Sequence, residues 1–456
     1  MEFTRRSLLV GAGTGAVALL LASCTTPDPE PSPSPTEPDV SPTPSQDVPV
    51  PAGFVRSSWT TDPHSRGARP FVPVGSAEAE RAVLATPLEG RVFFAGDALG
   101  TPIGTLYAAA NDGLRAAAAV TEVAERGERA FVVGAGLAGA RAARFLADAG
   151  FEVTVIEGRD RTGGRVHRVD ADDWPVAPAL GAWTAPADAD GIIDALAEEG
   201  VGTEPLEGEA ARGAEGAVDV PSMDPVRGAI DGAQSAPSDA SLGAALAASG
   251  ADAEEPELAA ALAYLTDTTG AEPAQLSSWY PPTIPGDRVA FDGDVGEVID
   301  RELDGLNVSL KTTVLGVAYD RDGVSLRLST GEALSADRVV LTVPIGVLRH
   351  GSVEFDPPLP FDHRAAIDGT GSGAIETVWL RFDEQFWSAE EQIWHIVGGE
   401  AAVRTWVNLA PATGEPILVG FVGGEAAQAF AELGDGEAAQ AAIDSLAPFA
   451  DAPEAS

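Results

Sequence analysis

Ala130-Phe131-Val132-Val133-Gly134-Ala135-Gly136-Leu137-Ala138-Gly139 opens the stretch that decides the fold, and Glu152-Val153-Thr154-Val155-Ile156-Glu157 closes it. The first residues are a short apolar strand running into a G-x-G-x-x-G turn. A helix of Ala, Arg and Leu follows to about Ala149, Gly150 breaks it, and a second strand ends on an acid. Gly134 permits the tight turn, Gly136 lets backbone approach a pyrophosphate, and Gly139 lets the helix lie close on the strand. The amides at the helix start, Leu137 and Ala138, point at phosphate oxygens. Glu157 stands eighteen residues after Gly139, where it can accept from ribose hydroxyls. Strand, turn, helix, strand and acid in this order predict a Rossmann-type α/β unit that holds a dinucleotide.

The residues that follow, Gly158-Arg159-Asp160-Arg161-Thr162-Gly163-Gly164-Arg165, add a second glycine turn set among arginines. Leu180-Gly181-Ala182-Trp183 comes next. This succession resembles the FAD-binding signature of the flavin amine oxidase family. The resemblance implies non-covalent FAD, with Gly164 close to the diphosphate, Arg165 neutralising its charge, and Gly181, Ala182 and Trp183 passing near the flavin. Further along, Val314 matches the family's adenine contact. Ala336-Asp337-Arg338-Val339-Val340-Leu341-Thr342-Val343-Pro344 matches another family block. Asn307 to Val314 and Gly323 to Leu328 read as the two strands of a hairpin, with the turn at Asp320 to Asp322.

The family's closing elements lie at the front of this chain. Trp59 to Gly67 resembles its tryptophan loop. Arg91-Val92-Phe93-Phe94-Ala95-Gly96-Asp97 resembles its strand ending in F-A-G-E, and Gly104-Thr105-Leu106 opens an alanine-rich helix to about Ala124. Gly96, Asp97, Thr105 and Leu106 are therefore expected at the flavin. A helix of that length runs about 30 Å at 1.5 Å per residue, so the five residues 125–129 can join it to the strand at Phe131. The order reads as a circular permutation of the family, the alternative being an assembly artefact or a gene-prediction fusion.

Three expectations concern the substrate side. Trp59 matches an aromatic beside the flavin ring, with a core tryptophan as the other reading. The family's lysine is replaced by Thr377, and Lys311, the only lysine, lies in the hairpin. Arg69 and Thr105 occupy the positions of the aromatic cage in monoamine oxidases. Arg69 would repel a cationic amine and could grip a carboxylate; its alternative is a surface arginine paired with an acid. The family oxidises amines without an obligatory protein base, so no acid–base residue is assigned.

Composition narrows the remainder. Seventy acidic against 28 basic residues give a net charge of −42, which repels nucleic acid. The single cysteine, Cys24, excludes an internal disulfide, and five scattered histidines show no metal spacing. Arg5-Arg6 ahead of an apolar run resembles a twin-arginine export signal. Leu21-Ala22-Ser23-Cys24 resembles a bacterial lipobox, which implies a lipidated Cys24 and anchoring at the outer face of the cytoplasmic membrane. The expected organisation is a signal over 1–24, a Pro/Ser-rich disordered linker over 25–52, and a permuted FAD-binding segment over 53–125. A Rossmann core over 126–187 follows, then a helical part of the substrate domain over 188–285. An FAD-domain hairpin and strand over 286–345 and a mixed substrate-domain sheet over 346–456 complete it. The function expected is oxidation of an amine or amino acid by FAD, with electrons passed to dioxygen. A desaturase of an apolar substrate and a non-catalytic FAD-fold lipoprotein are the alternatives.

Overall fold

The computed structural model describes residues 41–45 and 48–450. The signal, Cys24 and most of the linker lie outside the described residues. The apolar run at Phe131 forms the strand Arg129–Val133, centre of a five-stranded parallel sheet. Its neighbours are Glu152–Ile156 and Arg338–Leu341, with Asn307–Ser309 and Val92–Phe94 at the edges. The edge strand Val92–Phe94 comes from the front of the chain, as the sequence predicts, and pairs in register with Val339 to Leu341.

Each face of this sheet is covered differently. Against one face pack the helices Leu106–Val123, Leu137–Asp148 and Val295–Leu303, meeting through Ala116, Ala117, Ala140, Ala143 and Leu146. Alanines at this interface let helix axes approach closely, and the short connection from Ala124 to Glu128 suffices to bring the next strand in behind. On the other face lies a four-stranded sheet, Ala333–Ala336, Val324–Leu328, Val314–Tyr319 and Glu354–Asp356, packed through Val317 and Leu326 onto Val339 and Leu341.

The second layer system is a seven-stranded mixed sheet ordered Gly53–Arg56, Ile375–Arg381, Ile417–Gly423, Thr405–Asn408, Ile393–Ile396, Glu209–Gly213 and Gly216–Val218. Its strands alternate sides. Val378, Leu380, Trp394, Trp406 and Leu418 face the helices Gly424–Glu432 and Asp435–Ser445. Trp379, Ile393, Val407 and Val419 face inward with Trp59 and Trp183.

Four expectations are corrected. The reading of Asn307 to Val314 as one hairpin strand fails because Lys311 adopts φ 54° and breaks it. Asn307–Ser309 joins the parallel sheet, and the hairpin is Val314–Tyr319 with Val324–Leu328. The 25–52 linker is not solvated to its end: Val48 is wholly buried with the tryptophan core, and the Thr43 amide donates to Gln440 Oε1 at 2.7 Å. The 188–285 segment is not only helical. It contains helices, among them Asp190–Glu198 and Pro256–Thr269, and also three strands, two of them completing the seven-stranded sheet. Finally, Gly53–Arg56 pairs with Ile375–Arg381 instead of serving the FAD layer, and Arg288–Asp292 forms a small sheet with Thr184–Pro186 and Gly202–Pro205. In both cases the decisive partner is distant in sequence.

Candidate active site

One cavity of about 1130 Å³ extends from the two glycine turns to the inward face of the seven-stranded sheet. Every expected cofactor residue except Gly139 lines it. Gly139 sits behind the turn. A Cβ there would lie 1.9 Å from the Gly134 carbonyl oxygen, so only glycine lets the helix start this near the strand. Gly134 itself has φ 110°, which a side chain would strain.

The two turns are held face to face. The Gly163 amide donates to Ala135 O at 2.9 Å, and a Cβ on Gly164 would stand only 3.3 Å from the Gly136 Cα. Glu157 is buried, and its carboxylate accepts from the amides of Ala135 and Arg159, each at 2.8 Å. Arg159 is in turn paired with Asp62 at 2.8 Å and donates to Ser65 at 2.6 Å. His64 packs directly over Gly158. The expectation that Arg165 stands ready for a diphosphate is modified: its guanidinium bonds both oxygens of Asp97, at 2.7 and 2.9 Å, as well as Ala68 O. Thr105 caps the Leu106–Val123 helix by accepting from the Ala108 amide at 3.0 Å, and that helix start opens onto the cavity. Val314 and Leu315 line the cavity beside Thr312 and Thr313.

These residues suit FAD. The facing turns form a backbone cradle that side chains would fill, Glu157 is fixed beside them by two amides, and Arg66, Arg159 and Arg165 supply positive charge. Arg66 Nε is buried with no partner, as expected of a donor that awaits an acceptor.

Nearer the seven-stranded sheet the wall changes character. Trp59 donates from Nε1 to Leu180 O at 2.7 Å, and Thr377 Oγ1 donates to the same oxygen at 3.0 Å. Both residues are buried and both touch the cavity, so the two readings of Trp59 coincide. The loop carrying Trp59 is anchored by Glu376, a wholly buried carboxylate that accepts from Ser57 Oγ and from the amides of Trp59 at 3.0 Å and Thr60 at 2.8 Å. Arg69 is not a surface arginine paired with an acid: it opens onto the cavity and donates to Thr268 O at 2.8 Å.

Among the cavity residues that sequence reasoning missed are three polar ones of the inner wall, Arg288, Tyr264 and Asp267. Arg288 donates to Thr184 Oγ1. Tyr264 and Asp267 lie one turn apart on Pro256–Thr269, and both the Tyr264 hydroxyl and Asp267 Oδ2 lack a partner. Burial pushes the Asp267 carboxyl up to about 7, against its Thr405 and Gly423 hydrogen bonds, and pushes the Tyr264 hydroxyl up to about 12. A signal for Arg288 existed: residues 169–300 contain only two other cations, Arg212 and Arg227.

Comparison with known proteins is consistent with this geometry. The flavin containing amine oxidoreductase family matches residues 38–121 and 233–456, and an NAD(P)-binding Rossmann-like domain matches residues 132–196. The chain is 28% identical to polyamine oxidase 2 of Arabidopsis thaliana over 358 residues, 70% of this chain and 71% of that protein. It is 31% identical to lysine-specific histone demethylase 1 homolog 2 of the same plant over 336 residues, covering 66% of this chain and 44% of that protein. Among solved structures, putrescine oxidase bound to putrescine shares the fold with a TM-score of 0.57 at 22% identity, over 71% of this chain and 81% of that one. Neither the desaturase nor the non-catalytic alternative is favoured by these matches. With more than half its length matched, the chain belongs to the flavin-containing amine oxidoreductases and is an FAD-dependent, amine-oxidase-like oxidoreductase.

Proposed function

We propose that this chain oxidises the carbon–nitrogen bond of a small amine or amino acid, with dioxygen as the acceptor. The observation that carries the reading is the single continuous cavity joining a dinucleotide cradle to a largely apolar inner wall. Bound FAD would supply the redox chemistry, taking a hydride from the amine-bearing carbon and passing both electrons to dioxygen to give peroxide. The chain's own contribution is to hold and orient. Glu157 would accept from the adenosine ribose, the Gly136 and Gly164 turns would receive the pyrophosphate, and the Arg165–Asp97 pair would lie alongside it. The start of the Leu106–Val123 helix would present its partial positive charge to the flavin pyrimidine. Thr377 cannot play the part of the family's lysine, because its hydroxyl is committed to Leu180 O and it carries no charge.

The same reading includes a circularly permuted gene order, supported by the edge position of Val92–Phe94 and by the packing of Leu106–Val123 on Leu137–Asp148. It includes export by the twin-arginine signal and lipidation at Cys24, supported by the sequence alone. Purification of the protein with a flavin absorption spectrum, followed by peroxide assays across amines and amino acids, tests the activity. A colourless protein that takes up no added FAD would overturn it. Membrane fractionation of wild type against Cys24→Ser tests the anchor, which fails if both remain in the membrane fraction or both are released.

A further inference from the structure

Charge is unevenly matched inside the cavity. At the cradle, Arg159 and Arg165 each have a carboxylate partner at 2.8 Å or less. Toward the inner wall two more arginines line the same space, and neither forms an ion pair among the described residues. Arg69 spends one nitrogen on the Thr268 carbonyl, and Arg288 one on the Thr184 hydroxyl. Their guanidinium groups are near enough to repel: burial first, and then Arg288, push Arg69 down to about 10. The Tyr264 hydroxyl belongs to the same lining and has no hydrogen-bond partner. Two mutually repelling, half-buried cations beside an idle hydroxyl are costly to leave unmatched, and a ligand anion would relieve them. Around them the wall is apolar, with Leu206, Ile393, Val407 and Phe421. Exposed carboxylates at Asp188, Asp190 and Asp287 stand at the rim.

Resting on the reading of the site as an amine oxidase, we propose that its substrate is an amine that also bears a carboxylate and an apolar side chain, the carboxylate being received by Arg69 and Arg288 with Tyr264 as a further donor. A plain diamine such as putrescine would place a second positive charge against these arginines. The acidic rim attracts the ammonium group, and the inner arginines sort for the anion.

The test uses the FAD-loaded protein and matched pairs that differ only by the carboxylate: leucine against 3-methylbutylamine, and phenylalanine against 2-phenylethylamine. The amino acid of each pair is expected to have the higher kcat/KM by about 100-fold, since hydrogen bonds to a charged group are worth about 1.5–3 kcal/mol each. Arg288→Met and Arg69→Met should each raise the amino-acid KM by about 10- to 100-fold while shifting the amine KM by no more than a few-fold, and Arg288→Lys should recover part of the loss. A second arm is independent of turnover. Calorimetric titration with 3-phenylpropanoate should show binding to wild type that the Arg69→Met/Arg288→Met variant loses, its flavin spectrum reporting that the fold is intact. Amines oxidised as well as their amino acids, together with no carboxylate binding, would overturn the proposal while leaving the oxidase reading in place. Carboxylate bound through these arginines in a protein whose flavin no donor reduces would do the reverse.

Discussion

The two ends of the cavity are built on different principles. Apart from the buried Arg66 Nε, the cradle is internally braced: Glu157 by two amides, Arg159 by Asp62, Arg165 by Asp97, and the glycine turns by one another. Toward the seven-stranded sheet polar groups are left open: among the described residues Arg69 and Arg288 form no ion pair, and Tyr264 and Asp267 each hold an idle oxygen. A cofactor of fixed shape can be met by backbone, which no substitution short of a clash removes. A small ligand must be met by side chains, and those stay unsatisfied until it arrives. The contrast predicts that damage at the cradle acts through sterics and damage at the inner wall through charge.

The severest break is Gly139→Val. With Cβ forced to 1.9 Å from Gly134 O, the strand and helix must separate. Loss of bound FAD and about 4 kcal/mol of stability are expected, read by visible absorption and denaturant titration.

Next is Asp267→Asn, which sharpens the inner-wall side. The Asp267 carboxyl ionises near 7 in the folded chain and near 3.8 when unfolded. The folded state therefore holds a proton that the unfolded state has released, so stability falls as pH rises from about 4 to about 7. At about 1.4 kcal/mol per tenfold change in proton affinity, the bound on this loss is about 4 kcal/mol. The asparagine variant should lack that slope and exceed wild type at pH 8. Parallel denaturation curves at pH 4 and pH 8 for the two proteins would remove the assignment.

A smaller loss, about 2 kcal/mol, is expected of Glu376→Gln. One acceptor oxygen becomes an amide group facing the donors of the tryptophan loop. The readout is the melting temperature together with Trp59 fluorescence. The smallest effect belongs to Thr377→Val, about 1 kcal/mol, because Leu180 O keeps the Trp59 indole as its donor. Substrate KM should be unchanged, and a tenfold shift would mean that the hydroxyl meets the ligand.

The cradle was legible in the sequence because its determinants are local. Glycine spacing, the strand alternation around it and the acid at Glu157 lie within a single βαβ unit. The same locality made the Leu106–Val123 helix readable within about two residues. The inner wall was legible only in part. Trp59, Arg69 and Thr377 were placed there only through the resemblance, while Tyr264 and Asp267 on one helix, Arg288, and Phe421 reach the same space from three further places that no period in the chain connects. Asn307 to Val314 failed for a backbone reason, since Lys311 carries a left-handed turn with no glycine or asparagine to announce it. Val48 failed because a proline-rich stretch can still lend one valine to a core assembled some 330 residues later.

The lone pairing of Val92–Phe94 with Arg338–Leu341 sets a timetable for synthesis. The edge strand leaves the ribosome about 250 residues before the segment that completes it. At roughly 10 residues per second, it waits some tens of seconds with an open hydrogen-bonding edge of Val, Phe and Phe. During that interval the nascent chain carries a sticky end that a chaperone or a neighbouring chain can reach, and only the arrival of Val339 to Leu341 retires it.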